Sequence, residues 1–126
     1  MKKVTLGIIF ISVIMFFVAL ATDIFWLARL FGTEFPSKFS VDPKFYNAFA
    51  VPDILLSVFL YVGAVGLLKL KQFGLMSSLV ALGMWIFDTL LVFSITKTSQ
   101  LDIIIPTLIF SFFALVYLWN KRNLFD

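Results

Sequence analysis

The sequence predicts an all-α polytopic membrane protein, an antiparallel bundle of four transmembrane helices with both termini cytoplasmic. Composition, the length of the apolar segments and the placement of Lys and Arg support this prediction. Of the 126 residues, 62% are hydrophobic and 13% are charged, whereas a soluble domain is about half apolar and about a quarter charged. Because there are too few polar side chains to cover a water-facing surface, the expected solvent is a bilayer.

Four apolar segments predict four helices within one domain that spans residues 1–126. Each has about the 20 residues that cross a hydrocarbon core of about 30 Å. The N-terminal segment resembles a signal peptide, with basic Lys2 and Lys3, an apolar stretch and then Ala19-Leu20-Ala21 as a cleavage site. Apolar sequence resumes after Asp23, which favours an uncleaved first helix. The predicted helices cover approximately residues 4–30, 50–68, 75–95 and 101–119.

The connections between the helices differ in length and character. The short turns at residues 69–74 and 97–100 predict antiparallel neighbouring helices. The connection at residues 31–49 is longer and rich in aromatic residues, and its Asp42-Pro43 pair is typical of a helix start. We expect this segment in the outer headgroup zone, either as an anchored connector or as a lid over a cavity.

The Lys and Arg residues near the helix ends predict the orientation in the cell membrane, because basic residues concentrate on the cytoplasmic side. The side of the two termini carries six basic residues. The opposite side carries four, and acidic residues on that side partly offset their charge. The six are Lys2, Lys3, Lys69, Lys71, Lys121 and Arg122, and the four are Arg29, Lys38, Lys44 and Lys97.

Several classes of function are unsupported by the composition. The basic residues flank apolar segments and form no patch with interleaved aromatics, so no nucleic-acid partner is expected. The chain contains no cysteine and no histidine, which removes thiol catalysis, thiolate metal sites and the commonest general base. We therefore expect neither a metal nor another cofactor.

Asp88 is the least expected residue of the third apolar segment. At about 1.5 Å per residue it lies roughly 20 Å from the inner boundary and about 10 Å from the outer one. An ionised aspartate near a helix centre costs about 2.5–3.5 kcal/mol on insertion scales, which partners, water or protonation must offset. Either Asp88 lines a functional cavity, or it stabilises the bundle by hydrogen bonding to Ser57, Tyr61 or Thr107.

The other acids near the helices also fall in the outer half. Asp53, Ser57 and Tyr61 are spaced four residues apart and share one helix face. Asp23 is expected to pair with Arg29 or to reach outward, and Asp102 to cap a helix together with Ser99. The candidate ligand or proton site comprises Asp88, Asp53, Asp23, Ser57, Tyr61, Trp85 and Thr107.

Small and aromatic residues are assigned mainly to packing. Trp26, Trp119 and Tyr117 suit the aromatic belts at the membrane interfaces. Trp85 either walls a pocket beside Asp88 or faces lipid. Close approach of the second and third helices is predicted at the small residues Gly63, Gly66, Gly74, Ser78 and Gly83.

Three functions fit these features, and a non-enzymatic one is favoured. In the first, an outer-facing cavity anchored by Asp88 and Asp53 binds or transports a lipid-like molecule, a hydrophobic cation or a proton. In the second, the two carboxyl groups act as acid and base in an isomerase-like enzyme for a lipid, which requires them to be adjacent. In the third, the chain is an accessory subunit. The expected partners are membrane lipids, a hydrophobic small molecule, and either a second copy or another membrane protein.

Overall fold

The fold is all-helical, as predicted. A computed structural model describes residues 2–32 and 47–126, except the side chain of Ser99. The described residues include four long α-helices, which are α1 (Leu6–Leu30), α2 (Ala50–Leu68), α3 (Gln72–Thr96) and α4 (Leu101–Asn120). All four are long and apolar enough to cross a membrane. The predicted helix start at Asp42-Pro43 lies outside the described residues, and so does most of the predicted interfacial loop.

Helices α2 and α3 approach most closely where both carry small residues. A Cβ atom on Gly66 would overlap the backbone of Gly74, and one on Gly63 would collide with the hydroxyl of Ser78. This is the close approach that the small residues predict. Gly83 differs, because a Cβ atom there meets no described atom within 4 Å. The close approach predicted at Gly83 is therefore wrong.

Successive helices pack against each other in chain order, whereas α1 and α4 meet mainly near the end that carries the termini. There the hydroxyl groups of Thr5 and Tyr117 are hydrogen-bonded at 2.7 Å. The rings of Phe10 and Phe110 meet edge to face, with their centroids 6.3 Å apart. The buried core between the helices includes Ile8, Ile11, Met15, Leu60, Leu67, Leu82 and Leu118.

We name the two ends of the molecule by the segments they carry. The terminal end comprises residues 2–5, the α2–α3 turn at residues 69–71 and the C-terminal segment 121–126. The loop end is the opposite one, where α1 ends, α2 begins and the short 3₁₀ turn Lys97–Gln100 joins α3 to α4. The candidate site lies in the half of the molecule next to the loop end.

Candidate functional site

The centre of the site is a pair of carboxyl groups on neighbouring helices. The side chains of Asp53, in the first turn of α2, and Asp88, in α3, lie within hydrogen-bonding distance of each other. Their pairing follows from the glycine contact, since Gly63 packs against Ser78. Each aspartate lies ten residues, or about 15 Å, beyond that contact toward the loop end. Antiparallel helices therefore bring the two carboxyl groups to the same depth.

Two adjacent carboxyl groups among apolar helices favour a shared proton. If both were ionised, their charges would repel each other in a medium of low dielectric constant. With one proton between them, the repulsion becomes an O–H···O⁻ hydrogen bond, which is short and strong. The Oδ2 atom of Asp88 is buried and accepts no hydrogen bond from any described residue. The neighbouring Asp53 carboxyl group is the polar group that can satisfy this oxygen, through the shared proton.

Trp26 is the third member of this polar cluster, whereas the sequence predicts it in an aromatic belt at a membrane interface. Its indole Nε1 donates a hydrogen bond of 2.9 Å to Oδ2 of Asp53. The side chain is only 9% exposed, so Trp26 packs inside the bundle, and its position at the depth of a membrane interface stays a prediction. Trp26 lies seven residues after buried Ala19 and therefore on the stripe of α1 that faces α2.

Asp23 and Tyr61 form a second polar contact between α1 and α2. The Tyr61 hydroxyl lies close to the Asp23 carboxylate, and the Tyr61 ring meets Phe16 edge to face at 5.5 Å. The pairing of Asp23 with Arg29 is not observed, because no ion pair joins them among the described residues. Arg29 instead donates a 3.0 Å hydrogen bond to the side chain of Asn47.

The remaining candidates bond to their own helices or to other aromatic rings. Ser57 donates to the carbonyl of Ile54 at 2.7 Å, and Thr107 donates to the carbonyl of Ile103 at 2.8 Å. Trp85 packs edge to face against Phe110, with centroids 5.9 Å apart. If Asp88 stabilises the bundle, the sequence predicts a hydrogen bond to Ser57, Tyr61 or Thr107, but the described contacts give Asp53 as its partner.

Two grooves border the polar cluster on opposite sides of α2. The α1–α2 groove has a volume of about 730 Å³ and includes Asp23, Arg29, Ser57 and Tyr61 among its lining residues. The α2–α3 groove has a volume of about 500 Å³, within the range of small-molecule pockets. Its described lining is Ala48, Phe49, Pro52, Gly83, Met84, Phe87, Asp88 and Leu91. Asp88 is the one charged side chain in that set.

Gly83 lines the α2–α3 groove, where the sequence predicts a close contact between helices. Small residues are enriched at helix contacts, and the sequence offers no sign that Gly83 instead leaves room beside Asp88. Gly83 and Phe87 lie one helical turn apart on the same helix as Asp88, and this spacing is the one feature of the sequence that points to a groove there.

No protein-family model matches the chain, and neither a characterised protein nor a solved structure is significantly similar to it.

Proposed function

We propose that the chain is a multi-pass protein of the cell membrane, with both termini cytoplasmic, that binds an amphipathic organic cation from the outer side. The contact between the carboxyl groups of Asp53 and Asp88 carries the proposal. The orientation rests on the six basic residues at the terminal end against four on the other side. In this orientation the carboxyl pair lies in the outer half of the membrane.

The chemistry of the α2–α3 groove favours a ligand with an apolar body and a positively charged head. Met84, Phe87 and Leu91 supply apolar and aromatic walls, and Asp88 supplies the charge. Aromatic rings beside a carboxylate suit organic cations, which gain from both the charge and the ring faces. The cation takes the place of the shared proton, so one proton leaves the pair for each cation bound.

The test is direct binding to the purified protein in lipid nanodiscs. Tetraphenylphosphonium is the probe, and tetraphenylborate, its anionic counterpart of similar shape, is the matched control ligand. We expect Asp88→Asn to weaken tetraphenylphosphonium binding by about tenfold or more, which corresponds to about 1.4 kcal/mol. Asp102→Asn removes an exposed carboxylate at the start of α4 and should leave binding unchanged. Equal binding of the two probes, or equal binding by wild type and Asp88→Asn, would contradict the proposal.

Release of a proton predicts how cation binding depends on pH. The proton and the cation compete for the same carboxyl pair, so affinity should rise with pH by up to about tenfold per unit while one proton is displaced. It should level off once the pair has lost its proton. Asp53→Asn leaves Asp88 as the one ionisable group of the pair. The pH dependence of cation affinity should therefore differ from that of wild type. A wild-type affinity for the cation that stays constant from about pH 5 to about pH 9 would exclude the exchange of a proton for the cation.

The carboxyl contact also meets the geometric requirement of an acid–base enzyme that acts on a lipid. Such an enzyme needs one protonated and one ionised carboxyl group beside the substrate. Incubation with membrane lipids in deuterated water distinguishes this function, because proton abstraction and return would place deuterium in the lipid. Incorporation that disappears in both Asp53→Asn and Asp88→Asn would favour the enzyme over the binding protein.

The accessory-subunit function receives less support from the geometry. It requires Asp88 to pair with a basic residue of another protein, whereas the side chain contacts Asp53 within the same chain. Co-purification of a stoichiometric membrane-protein partner that is lost in Asp88→Asn would favour it.

A further inference from the structure

The terminal end gathers basic side chains from three separate segments. Lys2 and Lys3 precede α1, and Lys69 and Lys71 lie in the α2–α3 turn. Lys121 and Arg122 follow α4. All three segments meet at this end because the helices are antiparallel. Asp126 is the one acidic side chain in these described segments. We call this set the terminal basic cluster: Lys2, Lys3, Lys69, Lys71, Lys121 and Arg122.

Backbone hydrogen bonds hold the α2–α3 turn against the C-terminal segment. The Asp126 amide donates to the Leu70 carbonyl at 3.0 Å, and the Gln72 amide donates to the Asp126 carbonyl at 2.7 Å. Leu70 and Phe125 are both buried, at 8% and 6% exposure, which anchors the two segments in the core. Lys69 and Lys71 flank Leu70 and are exposed, so their charges are held beside the C-terminal segment.

The N-terminal segment is tied to the same place. The ammonium group of Lys2 donates to the backbone carbonyl of Asn123 at 2.9 Å and forms an ion pair of 3.1 Å with Asp126. This pair neutralises the acid of the terminal end and leaves the remaining basic side chains in excess. The positive charge is therefore a property of one structured surface rather than of three independent tails.

Aromatic contacts place two members of the cluster at the depth of lipid headgroups. The guanidinium of Arg122 lies 4.7 Å from the Trp119 ring centre, and its Nη1 donates to the Trp119 carbonyl at 2.8 Å. The ammonium of Lys121 lies 5.9 Å from the Tyr117 ring centre. Trp and Tyr concentrate at the membrane–water interface. With Trp119 56% exposed at the end of α4, the charges beside it lie where lipid phosphates lie.

We infer that the terminal basic cluster binds the phosphodiester headgroup of an anionic phospholipid in the adjacent leaflet. Ammonium and guanidinium groups suit phosphate oxygens, and basic clusters next to transmembrane helices recognise anionic headgroups. Exposed apolar side chains at the same end, including Leu6 at 83% and Leu68 at 46%, give the acyl chains a surface. The inference rests on the membrane insertion proposed above, and it is independent of cation binding at Asp53 and Asp88.

The experiment measures lipid binding to the full chain purified in a neutral detergent, by native mass spectrometry and by thermal unfolding. The probes are phosphatidylglycerol, zwitterionic phosphatidylcholine and soluble glycerol phosphate. We expect phosphatidylglycerol to bind at least about tenfold more tightly than phosphatidylcholine and to raise the unfolding midpoint. Glycerol phosphate should do neither, because it lacks acyl chains.

The main variant replaces Lys69, Lys71, Lys121 and Arg122 by Gln, and we expect it to lose the preference for phosphatidylglycerol. Lys97→Gln removes an exposed charge at the loop end and should keep that preference. Changing the three lysines to Arg retains the charges, and this variant should also bind as wild type. Asp88→Asn should behave as wild type here, so failure of this inference and failure of cation binding are distinguishable.

Three outcomes would overturn the inference. The first is equal binding of phosphatidylglycerol by wild type and the quadruple Gln variant. The second is an equal loss in Lys97→Gln, which would show only a general response to net charge. The third is binding of glycerol phosphate as tight as that of the lipid, which would identify a soluble phosphate site instead.

Discussion

Close to the terminal end, α2 and α3 touch through the backbones of Gly66 and Gly74, whereas closer to the loop end α3 presents Gly83 to an open groove. The first pair permits a tight contact that leaves no room for a methyl group. The second glycine lies beside the one charged side chain of its groove. The same residue type therefore serves packing in one half of the molecule and access in the other.

Polar contacts follow the same division. At the terminal end they join segments to each other, as in the Thr5–Tyr117 hydrogen bond and the Lys2–Asp126 ion pair. Near the loop end they converge on the carboxyl pair of Asp53 and Asp88, and Asp88 lines the α2–α3 groove. The polar groups of the terminal half thus join segments of the chain, while the carboxyl pair of the loop half borders a groove that a ligand can enter. The following variants test this division.

Gly66→Ala should have the largest effect on stability. The added Cβ would overlap the backbone of Gly74, and backbone atoms cannot move aside as the end of a flexible side chain can. We expect the free energy of unfolding in detergent to fall by about 3 kcal/mol, the upper part of the usual overpacking range. Titration with a denaturing detergent, followed by circular dichroism, measures this change. A variant as stable as wild type would show that the helices are not in close contact there.

Trp26→Phe should have the next largest effect, and it acts on the loop half. It keeps most of the apolar ring but removes the 2.9 Å hydrogen bond to Asp53. We expect a loss of about 2 kcal/mol, typical of a hydrogen bond to a charged group. Cation binding should also weaken, because ionised Asp53 loses its donor. Trp119→Phe, at an exposed position near the terminal end, is the matched control and should bind the cation as wild type does.

Tyr117→Phe tests the seam between α1 and α4 near the terminal end. It removes the hydroxyl that is hydrogen-bonded to Thr5 at 2.7 Å. Because the Thr5 hydroxyl still accepts from the amide of Ile8, we expect a loss of only about 1 kcal/mol. Cation affinity should not change, since the site lies in the other half. Weaker tetraphenylphosphonium binding in this variant would show that the two halves are coupled.

The helices α1 to α4 and their lengths follow from the sequence for a physical reason. Crossing the hydrocarbon core requires about 20 apolar residues, so the lengths of the apolar segments define the helices. The rise of about 1.5 Å per residue then gives each acid its depth. These quantities do not depend on how a helix is rotated about its axis. Helix α3 begins at Gln72 rather than at the predicted Leu75, and these two starts differ by less than one helical turn.

The partners of Asp88 depend on helix rotation, which the sequence encodes weakly. In a soluble helix an apolar stripe marks the buried face, but these helices carry large apolar side chains on their exposed faces as well. Phe87 and Val80 on α3 are exposed, and Leu82 is buried, although their side chains are similarly apolar. The sequence predicts Ser57 or Thr107 as a partner of Asp88, whereas Asp53, one helical turn nearer the loop end than Ser57, faces it. Nor does the sequence show that Trp26 bonds to Asp53.

Gly83 offers the smallest expected change in stability together with a specific change in binding. Gly83→Ala places a methyl group in open space on a helix, so the free energy of unfolding should rise by about 0.8 kcal/mol, the helix-propensity difference. Gly83→Leu should be folded as well, but its side chain would extend into the α2–α3 groove beside Asp88. We expect this variant to lose tetraphenylphosphonium binding while its carboxyl pair remains intact, as measured in nanodiscs. If Gly83→Leu binds the cation as wild type does, the ligand does not occupy this groove, and the α1–α2 groove on the other side of α2 becomes the site to test.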